Sequence, residues 1–325
     1  MKFIDLHCDT LLYAASRGGR SIYDLPGAMA DVKRLREAGA LAQFFAVFFP
    51  PREELSALGI EPPPDDERYF AICREIYTNT LAEHQEIVRP AGNAADIAEN
   101  GASGAVSAFL TLEDGRVIDG DLTNLERFHR FGVRLISLTW NGENCFGHPN
   151  SSDPALMALG LKPFGIEAVR EMNRLGVVVD VSHLSDGGFW DVRKHSAKPF
   201  VASHSNARAL SPHPRNLTDD MIRALANSGG VAGVNYCPAF LNRDIDSSMS
   251  TVELVVQHIG HLVKTGGEDC VSLGGDWDGI SREIELRGPE KMGMLFDTLA
   301  DKGYPGRVIE KIAWSNALRV IAALC

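Results

Sequence analysis

The chain lacks most of the marks that sort a protein quickly. It has no Cys-x-x-Cys pair, and its six cysteines (Cys8, Cys73, Cys145, Cys237, Cys270 and Cys325) are scattered. That excludes a dense disulfide framework and suits reduced thiols. No apolar run reaches the roughly 18 residues of a membrane span. No GxGxxG or GxxxxGK[ST] motif follows an apolar run, so a nucleotide-binding open sheet lacks its usual sign. Positive charge is scarce as well. With 32 Lys and Arg against 43 Asp and Glu the net charge is −11, and no basic stripe offers a face to nucleic acid. Met1-Lys2 leads straight into Phe3-Ile4-Asp5-Leu6 without a signal-peptide pattern, so a cytoplasmic location with no membrane partner is the expectation.

What is present is a rhythm. Short apolar, β-branched or aromatic runs recur at Phe3–Leu6, Leu41–Phe49, Ala105–Leu112, Val133–Thr139, Val177–Val181, Pro199–Ser203, Gly230–Tyr236 and Cys270–Gly274. Helical patterns fall between them, at Ala28–Ala38, Asp66–Ile87, Leu122–Phe131, Pro163–Leu175, Asp186–Lys194, Thr218–Ser228 and Val252–Lys264. Parallel strands covered by helices read as runs apolar on both faces. Eight of them alternating with helices predict a (β/α)₈ TIM barrel occupying residues 1–325 as a single domain. Two stretches break the rhythm, near 50–67 and 141–161. Both follow strand ends, and both are expected as walls of a pocket or as surface insertions.

In such a barrel the C-terminal strand ends converge on one mouth, and that makes three of the ten histidines stand out. His7 closes the first run in His7-Cys8-Asp9, where period-two alternation puts His7 and Asp9 on one side. Glu113 ends the third run, and a carboxylate after a buried stretch is costly unless paired or metal-bound. His183 and His204 end the fifth and sixth. Alternation does not aim His183 at the face of Asp180, so its direction rests on the turn that follows. The last run ends in Gly274-Gly275-Asp276-Trp277-Asp278-Gly279, where an aspartate can serve as general base and the glycines permit close backbone approach. Each feature alone is common by chance. Together, three imidazoles and two carboxylates suffice to hold two divalent ions, with one carboxylate shared.

At these residues the sequence resembles the membrane (renal-type) dipeptidase family of the amidohydrolase superfamily. The matching segments are Asp5-Leu6-His7-Cys8-Asp9-Thr10, Leu112-Glu113, Asp180-Val181-Ser182-His183, Ser203-His204-Ser205, Pro214-Arg215-Asn216, Gly274 to Gly279, and Asn316-Ala317-Leu318-Arg319-Val320. The resemblance implies a metallo-hydrolase barrel with two metal ions, zinc by the imidazole content, acting on a small dipeptide. One ion would be held by His7, Asp9 and Glu113, the second by Glu113, His183 and His204. Asp276 would be general base and acid, and Arg215 would grip the substrate's C-terminal carboxylate with its guanidinium fork. The resemblance leaves open a D-residue at the C-terminal position and a homodimer.

Two positions depart from the family. Where it often has histidine, Leu138-Thr139-Trp140-Asn141 supplies an indole, which donates one hydrogen bond and gains no proton. Trp140 itself, or His148 on the following loop, is the expected replacement near the substrate. A common tyrosine is Cys237 here, with Tyr236 one place earlier. Other reactions on the same metals (lactone, cyclic-amide or phosphoester hydrolysis) and a non-catalytic peptide-binding barrel are the alternatives.

Overall fold

In the computed structural model, which describes residues 1–57, 65–244 and 246–324, the apolar runs become parallel strands. They are β1 (Phe3–Cys8), β2 (Ala40–Phe48), β3 (Val88–Pro90), β4 (Val106–Glu113), β5 (Val133–Ser137), β6 (Val178–Asp180), β7 (Val201–Ala202), β8 (Val231–Val234) and β9 (Val271–Leu273). Their order is β2-β1-β9-β8-β7-β6-β5-β4-β3, and β2 also pairs with β4 from Ala42↔Ser107 to Phe48↔Glu113, which closes the sheet on itself. Eight staves result. The unexpected ninth strand, β3, borders only the first residues of β4, before β5 takes over at Leu110. Three residues ending in a proline leave no periodicity to read.

The helices start and stop where local chemistry says they should. Asp121 accepts from the Thr123 amide and Thr218 from the Met221 amide, each capping the helix that follows. Gly176, at φ +75°, closes Pro163–Leu175.

Inside the barrel the side chains lie in layers. Ile4, Ala42, Leu135, Val178, Val201 and Val231, from the strand starts, form an apolar cluster with Ala317, Val320, Ile321 and Leu324 of the C-terminal helix Asn316–Leu324. That helix shuts the N-terminal mouth. Neighbouring residues such as Val179, Ala202 and Ala232 join the larger cluster between strands and outer helices. Two residues further along, alternation brings Ser137, Asp180 and Ser203 inward as a buried polar layer. The open end lies above it.

Of the two irregular stretches, 141–161 contains one short helix, Pro154–Met157, and is tied to the end of β6 by Asn150 N donating to His183 O at 2.7 Å. Within 50–67 a short helix covers Arg52–Ala57, while Pro62-Pro63-Pro64 lies outside the described residues. Among the described residues no helix is long and apolar enough to cross a membrane.

Candidate metal centre

The site begins with a break in a strand. Ile4 and Leu6 face the barrel interior, so strict alternation would send His7 outward. The pairing of β1 with β2 runs Asp5↔Gln43 then Cys8↔Phe45, three residues against two. This bulge turns His7 into the open mouth, where its side chain is 1% exposed. Asp9 does not extend the strand, as the sequence suggests it should; it precedes the helix Thr10–Ala15, with φ −103°. The two still meet, with His7 Nε2 3.4 Å from Asp9 Oδ2.

Glu113 needs no such device. Phe109, Thr111 and Glu113 point inward by simple alternation along β4, and Glu113 is buried. Its Oε2 lies 3.4 Å from His7 Nε2, while its Oε1 lies 2.9 Å from His183 Nε2 and 3.4 Å from His204 Nε2. The direction of His183, which alternation could not supply, comes from a left-handed backbone at φ +67°. A non-glycine residue there is uncommon and is held by its surroundings. Asn141 Oδ1 sits 3.2 Å from His183 Nδ1, and the Nε2 atoms of His183 and His204 are 3.1 Å apart.

Asp276 also adopts a left-handed conformation, φ +61°. Its Oδ2 accepts from Asn235 Nδ2 at 2.8 Å and its Oδ1 is 3.8 Å from His7 Nε2. The glycines before it are required by space, since a Cβ on Gly274 would collide with the Ser203 carbonyl. Asp278, the other carboxylate of that segment, has its oxygens taken by Thr10 Oγ1, Met29 N and Ala30 N. Trp277 between them is fully buried and donates to Leu286 O. Arg215, 5% exposed, donates to Ser205 Oγ at 2.9 Å and to His204 O at 3.3 Å.

A cavity of about 620 Å³ opens over this cluster, bounded by Asp9, Glu113, His183, Arg215 and Asp276 and walled by Phe48, Trp140 and Phe240. The indole of Trp140 packs against Phe48 with ring centroids 4.8 Å apart. Cys237 lines the cavity, whereas Tyr236 is buried beneath it, against Trp277. His148 is not among the lining residues. Its Nδ1 lies 3.5 Å from Glu143 Oε2. Sequence reading passed over Asn235, which binds Asp276, and Tyr13 and Arg17, which line the mouth. Nothing in their local pattern marks them, since they become neighbours of the site only on folding.

Crowding charge in a dry place distorts every titration here. Burial, reinforced by the Glu113 charge, pushes Asp9 up to about 8. Burial likewise raises Asp276 to about 6, with His7 opposing and Glu113 adding. Burial would raise Glu113 too, but the His7 charge and the close approach of the His183 and His204 imidazoles outweigh it and hold it well below the usual carboxylate range. His183 falls to about 4, by burial and then by the Arg215 charge.

The donors fit divalent metal ions. His7 Nε2 and Asp9 Oδ1 are buried and make no hydrogen bond, a costly state that a cation between them relieves. Two sets of donor atoms, from His7, Glu113 and His204 and from His7, Asp9 and Asp276, each lie within 4.8 Å of one another. His7 belongs to both sets.

Four similarities bear on this geometry. A family model described as membrane dipeptidase (peptidase family M19) matches residues 1–324. A Klebsiella pneumoniae protein named for its place in the pqqA 5' region is 40% identical over 239 residues, 70% of this chain and 86% of its own length. A Schizosaccharomyces pombe protein named as an uncharacterized dipeptidase is 32% identical over 315 residues, 92% of this chain and 74% of its own. Among solved structures, a metallopeptidase from Rhodobacter sphaeroides, liganded with a phosphinate mimic of the dipeptide L-Ala-D-Ala, superposes with a TM-score of 0.88. It is 27% identical and covers 100% of this chain and 99% of that one.

Proposed function

The chain belongs to the membrane dipeptidase family, peptidase family M19, and from that membership we propose that it hydrolyses dipeptides at a pair of divalent cations held by His7, Asp9, Glu113, His183 and His204. It is a metal-dependent peptide hydrolase on a TIM barrel. The observation that carries the two-ion reading is the divided carboxylate of Glu113, whose oxygens face His7 on one side and His183 and His204 on the other. An imidazole-rich, oxygen-completed donor set favours zinc.

Divalent cations held by these residues would supply Lewis acidity toward the scissile carbonyl and water. The rest falls to the protein. Asp276, fixed by Asn235, stands over His7 as the general base that takes the proton and returns it to the leaving amine. Arg215, anchored by Ser205, carries its charge at the cavity wall and pairs with the substrate's terminal carboxylate, which selects short peptides. Phe48 and Trp140 form the dry side of the cavity, with Trp140 a wall and hydrogen-bond donor, not a proton carrier. The L-Ala-D-Ala mimic on the Rhodobacter sphaeroides relative supports a D-residue at the C-terminal position. The family match along 1–324 supports one barrel domain. The described cysteines are all unpaired, which supports a reducing, cytoplasmic setting.

The test is metal content measured together with hydrolysis of L,L- and L,D-dipeptides. Two divalent ions per chain, and turnover abolished by chelation and restored by zinc, are expected. A zinc-loaded enzyme that cleaves no dipeptide overturns the reading.

A further inference from the structure

Beneath the imidazoles lies a carboxylate that the reaction does not touch. Asp180 is completely buried at the end of β6, in the polar layer between the apolar floor and the site. It accepts four hydrogen bonds, sorted by oxygen. Oδ1 takes two backbone amides, Ser182 N at 3.0 Å and Ser203 N at 2.8 Å. Oδ2 takes two hydroxyls, Ser137 Oγ at 2.5 Å and Ser203 Oγ at 2.6 Å. The same Ser203 Oγ is 2.7 Å from His204 Nδ1.

We propose that Asp180 is a positioning residue that, through Ser203, fixes the tautomer of His204 and aims its Nε2 lone pair at the metal site. A serine hydroxyl has one proton. With four donors converging on it, Asp180 acts only as an acceptor, so that proton goes to Oδ2. Ser203 Oγ must then accept from His204, which places the imidazole proton on Nδ1 and leaves Nε2 bare, 3.4 Å from Glu113 Oε1. Through the Ser182 amide the same carboxylate braces the turn that swings His183 into its left-handed conformation. Strand ends β5, β6 and β7 are thereby tied to one buried charge.

This inference rests on His204 being a metal ligand, but its test needs no substrate. In Asp180→Asn the two backbone amides hold the amide oxygen in place of Oδ1, which leaves the NH₂ facing Ser137 and Ser203. The Ser203 proton is then turned onto His204 Nδ1, and the ring must carry its proton on Nε2, where the ion binds. Ser203→Ala cuts the relay and leaves Asp180 its other three donors, Ser182 N, Ser203 N and Ser137 Oγ. Ser137→Ala removes a hydroxyl from the same carboxylate but lies off the path.

Zinc-loaded full-length wild type and the three variants are titrated with a competing chelator, and the histidine ¹⁵N spectrum is recorded after stripping. Zinc affinity is expected to fall about 10- to 100-fold in Asp180→Asn and Ser203→Ala and by less than about 3-fold in Ser137→Ala. The His204 proton is expected on Nδ1 in wild type and on Nε2 in Asp180→Asn. Wild-type His204 protonated on Nε2 overturns the proposal, whatever the enzyme hydrolyses. So does Ser137→Ala losing zinc as readily as the other two, which would reduce the cluster to a structural role. If Asp180→Asn does not fold, Ser203→Ala against Ser137→Ala decides the question.

Discussion

Glu113 Oε1 lies 2.9 Å from His183 Nε2, although the two residues are 70 positions apart and reach the barrel mouth by different means, one by strand alternation and the other by a left-handed turn. That contact is one half of the bridge on which the two-ion reading depends. The other is the 3.4 Å approach of Oε2 to His7. Glu113→Gln preserves shape but halves the donor power and removes the charge. The variant is expected to fold, to retain about one metal per chain, and to lose at least about 10²-fold in kcat, the worth of a few kcal/mol of charge stabilisation. Metal analysis beside steady-state kinetics checks it, and full turnover with a single ion would remove the bridge from the mechanism.

Asp276 titrates high, at about 6, chiefly because it is buried. As a base it works only when ionised, so kcat/KM is expected to fall as the pH drops through its pKa and to level off above. Divalent cations nearby favour the carboxylate, which places the acid limb at or below about pH 6. Asp276→Asn is expected to cost about 10²- to 10⁴-fold in rate and to abolish that limb while metal content stays. An unaltered pH profile in the variant would assign the proton to another group.

Arg215 is buried beside Phe240, with its guanidinium carbon 5.4 Å from the ring centroid. Desolvation lowers its pKa, offset by Asp276 and Glu113. Arg215→Ala is expected to lower kcat/KM on dipeptides by about 10²-fold, through the loss of a buried charge pair. Dipeptide amides, which lack the terminal charge, should be cleaved about equally by both enzymes. Equal losses on the two substrate classes would mean that the arginine supports the fold around Ser205 and does not read the carboxylate.

The aromatic wall shows where sequence reading reached its limit. Phe48 ends β2 and Trp140 follows β5, and they meet only because β4 lies between those two strands in the closed sheet, which brings their ends together. His148 shares a loop with Trp140, and its Nδ1 lies 3.5 Å from Glu143 of that same loop. Asp276 and Asp278 flank Trp277, each with a glycine on its other side. One faces His7 and the other is used up by Thr10 and the 29–30 backbone, a choice made by the left-handed turns at both residues.

By itself the chain determined the barrel, through the repeated alternation of buried runs and capped helices, and it determined which side chains stand at strand ends, because period-two geometry is local. Whether those side chains converge was decided elsewhere. The bulge that turns His7 inward, the strained backbone of His183 and the hydroxyl path from Asp180 to His204 exist only once the barrel has closed. Each depends on non-local packing to hold a geometry that its own residues would not adopt alone.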